Sequence, residues 1–121
     1  MTRSSTAASA RFHEDGVVYL PRAFDPETLG RARELYEWSL AHPTQSACEF
    51  YPNEPGRFYQ DLCHPEAAIV YRDFLENSIA ADIVASLWGG GEVWFLYEQI
   101  FLKEGEATGD FLRPDRMSWA Y

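Results

Sequence analysis

The chain has 121 residues, a length that suits one compact domain. Its composition is 46% hydrophobic and 16% aromatic, which excludes a chain too polar to fold. Ten basic residues against nineteen acidic ones give a formal net charge of −9, so the basic footprint that nucleic acid or an anionic membrane surface requires is lacking. No apolar run approaches the roughly 20 residues that cross a bilayer.

Met1–Ala10 is small and polar, has one arginine and no apolar stretch, and so is not a secretory signal. Two cysteines, Cys48 and Cys63, are too few for a disulfide framework and read as reduced thiols. Together these features predict a single cytoplasmic domain over 1–121 with a flexible tail at 1–10, loosest over 1–7.

In chain order, a short helix is expected at Ala8–Asp15, stopped by Gly16, followed by a short strand at Val17–Leu20. The clearest local grammar comes next. Asp25 is a good helix N-cap, and Pro26 occupies the first helical position, where its missing N–H costs nothing. Leu29, Ala32, Tyr36 and Leu40 then recur at helical spacing, and Pro43 disfavours helix beyond about Ala41.

Residues 43–56, with three prolines and Gly56, predict a long loop, and Arg57–Asp61 an extended stretch leading out of it. A second helix should start at Pro65-Glu66 and run to about Glu76. A third, capped by Asn77 or Ser78, should end at Gly89-Gly90-Gly91. Glu92–Lys103, rich in Val, Trp, Phe, Tyr and Ile, predicts a central strand covered on both faces. Alternation puts Val93, Phe95, Tyr97, Gln99, Phe101 and Lys103 on one face.

The three histidines, His13, His42 and His64, form no pair at ligand spacing and read as surface or loop residues. The triple glycine follows a helix and precedes a strand, the reverse of a phosphate-binding loop, so it reads as a helix stop. Carboxylate pairs such as Glu14/Asp15 and Asp73/Glu76 read as solvated helix faces. Gln99 and Lys103 stand out because they share one face of an otherwise apolar strand. A lysine there needs an anion or water: an internal Asp or Glu, a bound carboxylate, or solvent reached by snorkelling at the strand end.

Phe12-His13-Glu14-Asp15-Gly16-Val17-Val18-Tyr19-Leu20, then Phe24-Asp25-Pro26-Glu27-Thr28-Leu29, then Tyr97-Glu98-Gln99-Ile100-Phe101-Leu102-Lys103-Glu104-Gly105 resemble, in that order, the N-terminal part of phytanoyl-CoA dioxygenase-family proteins. The resemblance implies N-terminal helices on a double-stranded β-helix, or jelly roll. It also implies oxidation chemistry with iron(II) and 2-oxoglutarate as cofactors. Lys103 matches the family's early lysine for a 2-oxoglutarate carboxylate, and Tyr97 and Gln99 match polar substrate-side positions.

The family's next segment reads close to Thr-Pro-Trp-His-Gln-Asp, whose His and Asp bind iron. Here the aligned segment is Phe111-Leu112-Arg113-Pro114-Asp115-Arg116. Pro114 stands for the histidine and Arg116 for the aspartate; the first has no donor atom in its side chain, and the second is a permanent cation. Asp115 is one residue out of register and by alternation faces away.

The expectation is therefore an α+β fold in which N-terminal helices pack on a partial jelly-roll sheet. It is a truncated family member with no catalytic or metal residues of its own. Its alternative is a non-catalytic derivative that binds a small ligand or a protein, with Phe95, Tyr97, Gln99 and Lys103 as the cavity face. Open strand edges predict a homo-oligomer or a partner subunit.

Overall fold

The computed structural model describes residues 3–105. It contains five helices and a small antiparallel sheet, an α+β arrangement. The described residues fall into two compact units, one built from residues up to Trp38 with Pro65–Leu96, the other from Ser39–His64 with the chain from Tyr97 onward.

The first unit holds α1 (Arg3–Asp15), most of α2 (Pro26–Ala41), α3 (Ala67–Val70), α4 (Arg72–Asn77) and α5 (Ala80–Trp88). Helix α1 begins at Arg3, earlier than the expected Ala8, and ends as expected at Gly16, whose N–H donates to Phe12 O at 2.9 Å. It packs along α5, where the Ser9 hydroxyl donates to Leu87 O at 2.9 Å.

Helix α2 starts and stops where its signals place it. Thr28 N–H donates to Asp25 Oδ1 at 2.7 Å, the N-cap bond, and this bond holds the Asp25 carboxyl below the usual range. Its predicted apolar stripe is half-buried except at Leu29, which is 53% exposed. The helix expected over 65–76 breaks at Tyr71 into α3 and α4, and the Tyr71 hydroxyl donates to Leu35 O at 3.2 Å. Phe24 meets Phe74 edge to face, and Arg31 forms an ion pair with Asp73. Helix α5 ends in a left-handed Gly89 at φ +93°, with Gly90 N–H closing on Ala85 O at 2.6 Å; only glycine takes that φ without steric cost.

The second unit is a three-stranded antiparallel sheet in the order β1 (Cys48–Phe50), β2 (Arg57–Leu62), β3 (Gln99–Glu104). Register pairs Phe50 with Phe58 across β1 and β2, and Phe58 with Lys103, Gln60 with Phe101 and Leu62 with Gln99 across β2 and β3. One face, carrying Tyr59, Asp61 and Ile100, is buried.

Three expectations are corrected. Val17–Leu20 forms no strand; Val17 is 70% and Tyr19 84% exposed, because β-rich composition cannot hold a strand without a partner. The proline-rich 43–56 segment is not all loop, since Cys48–Phe50 pairs with β2. The strand expected over 92–103 shrinks to Gln99–Glu104, and among the described residues it lies at the edge of the sheet with β2 at the centre. A jelly roll needs about eight strands, and the described residues supply three.

Candidate functional site

Directly opposed residues of an antiparallel pair share a face. The register therefore gathers Cys48 and Phe50 of β1, Phe58, Gln60 and Leu62 of β2, and Gln99, Phe101 and Lys103 of β3 on one side of the sheet. This side is the more open one: Cys48, Gln99 and Phe101 are exposed, and the others half-buried. Phe50 and Phe58 lie 5.1 Å apart at 30°, and Phe58 and Phe101 6.2 Å apart at 24°, a row of near-parallel rings across three strands. The Lys103 ammonium sits 6.0 Å from the centre of the Phe58 ring. None of the ion pairs among the described residues involves Lys103.

Gln99 and Lys103 thus share a face, at opposite ends of β3. Tyr97 precedes β3 and is 51% exposed, outside the sheet. Phe95 belongs to the first unit, where its ring stacks on Tyr71 at 6.2 Å and 15°. Of the four residues expected from Phe95 to Lys103, the sheet face carries Gln99 and Lys103. Its other members are the phenylalanines of β1 and β2, which sequence reading missed. Their signal was the alternation of Arg57–Leu62, but only long-range register could reveal the pairing.

The opposite face carries a structural clamp. Asp61 is 3% exposed and accepts from Thr44 N–H at 2.8 Å, the Thr44 hydroxyl, Leu62 N–H at 2.9 Å and, weakly, the Tyr59 hydroxyl at 3.4 Å. Burial alone would raise its pKa, but these donors outweigh it and hold the carboxyl below the usual range. Burial in turn pushes the Tyr59 phenol up, with the Asp61 charge acting in the same direction. On this face Arg57 pairs with Glu49 and lies 5.4 Å over the Tyr59 ring.

At the other end of the sheet, Glu98 braces the exit of β2. Its carbonyl accepts from Cys63 N–H at 3.1 Å and its Oε1 from His64 N–H at 2.7 Å. Its second oxygen is buried with no hydrogen-bond partner among the described residues. The His42 and His64 rings meet edge to face at 6.5 Å, yet no group of three His, Cys, Asp or Glu among the described residues could hold a metal ion. Pro114 and Arg116, at the positions of the family's iron ligands, lie outside the described residues.

The first unit has a separate apolar groove of about 630 Å³ lined by Leu75, Val84, Val93, Trp94 and Phe95, with Arg72 and Glu76 at its rim. No helix among the described residues is long and apolar enough to cross a membrane. The chain matches no family model, no curated protein and no solved structure.

Proposed function

We propose that this chain is a phytanoyl-CoA dioxygenase-family polypeptide that retains a carboxylate-binding sheet face and has lost the iron motif, so that by itself it binds an oxoacid without oxidising it. The observation that carries this reading is Lys103: an ammonium on the open sheet face, diagonal to Gln60, over a phenyl ring and joined to no carboxylate among the described residues. An ammonium so placed is an anion contact in waiting, and the resemblance names 2-oxoglutarate as the anion. In this reading β1–β3 belong to a jelly-roll sheet and their open face is its interior.

Iron does not fit the residues present. Pro114 offers no side-chain donor and Arg116 would repel the metal. Oxygenase activity would therefore need ligands from elsewhere, such as a partner subunit. The exposed apolar run Val93–Tyr97 supports a second copy or a partner subunit. Two free thiols, Cys48 and Cys63, suit the reducing cytoplasm where we place the protein.

Anaerobic calorimetric titration of 2-oxoglutarate, with and without ferrous ion, tests the proposal. The expected result is binding that ferrous ion leaves unchanged and that Lys103→Met weakens by about tenfold or more, the worth of one charge-assisted hydrogen bond. Binding that appears only with iron would instead restore the oxygenase reading, and absence of binding in both conditions would remove the site.

A further inference from the structure

Resting on the carboxylate reading of Lys103, we infer that the open face of the β1–β3 sheet takes an aromatic monocarboxylate more tightly than a small dicarboxylate such as 2-oxoglutarate. Two features decide this. The first is charge. Among the described residues Lys103 is the only cation on this face; Arg57 lies on the opposite face, held by Glu49. One ammonium neutralises one carboxylate, so a second carboxylate of a dianion would lose its hydration without a cationic partner there.

The second feature is the ring row. Phe50 lies directly across from Phe58, the rings tilted at 30° and 5.1 Å apart, and Phe101 sits diagonally from Phe58 on β3, the rings 6.2 Å apart at 24°. Three adjoining rings offer aromatic surface to which a flat aromatic ligand adds a further offset-stacked or edge-to-face pair. A ligand ring laid over the row places its carboxylate at Lys103, next to the middle ring. Gln60, the diagonal neighbour of Lys103 on the same face, offers an amide donor to the carboxylate. A short aliphatic diacid would use Lys103 and leave the phenyl row uncovered.

Calorimetric titrations with 2-naphthoate, 2-naphthalenemethanol, acetate and 2-oxoglutarate test the inference, with amide NMR to place each ligand. The expected result is 2-naphthoate binding about tenfold or more tighter than acetate or the alcohol, with shifts in Arg57–Leu62 and Gln99–Glu104. Lys103→Met should remove the advantage over the alcohol. Phe101→Leu, which keeps apolar volume but no ring, should weaken 2-naphthoate several-fold and leave 2-oxoglutarate unchanged. If 2-oxoglutarate binds through Lys103 while 2-naphthoate is no better than acetate, the aromatic assignment is wrong and the oxoacid reading stands. If Lys103→Met changes neither carboxylate, both are wrong. Naphthoate shifts confined to Val93–Phe95 would assign it to the first unit's groove and likewise overturn the inference.

Discussion

Two buried or half-buried charges in the second unit do opposite jobs, and their partners tell them apart. Asp61 is held by several hydrogen-bond donors and is structural; Lys103 has an aromatic ring and no carboxylate partner among the described residues, which is why the proposal gives it a ligand. Asp61→Ala strands the Thr44 N–H and hydroxyl and should cost about 1–3 kcal/mol, measured as a fall in the urea midpoint with unchanged slope. The pH dependence has a definite sign. The Asp61 carboxyl is more acidic folded than unfolded, so its contribution is complete above the ordinary carboxylate range and is lost as pH falls through that range to the folded value. Urea midpoints from neutral to acid pH should fall less steeply in Asp61→Asn than in the parent. Equal slopes would show that Asp61 is not a source of the acid sensitivity.

Among the elements, those with their own end signals were readable in the sequence. Asp25-Pro26 announces α2 and the triple glycine ends α5, because caps act within one turn and need no distant partner. Strands do need partners. Val17–Leu20 and Glu92–Glu98 have strand composition and form none, while Cys48–Phe50, short and set among prolines, becomes one because β2 lies alongside. The same limit applied to the site. Alternation put Gln99 and Lys103 on one face, but no local rule could place Phe50 and Phe58 beside them.

Two substitutions probe this scale. Gly89→Ala forces a Cβ into left-handed backbone at φ +93° and should cost about 1–2 kcal/mol, read as a lower Tm. Ile100→Ala empties the buried side of β3, where Ile100 is 7% exposed, and should cost about 2–5 kcal/mol. Near-neutral effects on the Tm and urea midpoint would mean that β3 is not anchored to the buried face.

At the scale of the whole molecule, little is deeply buried and much apolar surface is open among the described residues. Only Tyr59, Ala67 and Ile100 are buried hydrophobic residues among those described, whereas Trp94 is 76%, Leu96 83% and Trp88 60% exposed. Such surface favours association, and the net charge of −9 opposes it. Salt screens the repulsion and strengthens apolar contact, so sedimentation velocity should show a mass that rises with protein concentration and with added salt. Trp94→Ser together with Leu96→Ser should reduce that rise. A monomer at every salt and protein concentration would contradict the partner-subunit part of the proposal.

In the proposed function Lys103 contacts a carboxylate without metal. Amide NMR of the labelled protein in metal-free buffer, titrated with 2-oxoglutarate, tests that role. Saturable shifts clustered at Phe58, Gln60, Phe101 and Lys103, absent in Lys103→Met, are expected. Shifts spread over other segments, or a cluster that persists in Lys103→Met, would contradict it.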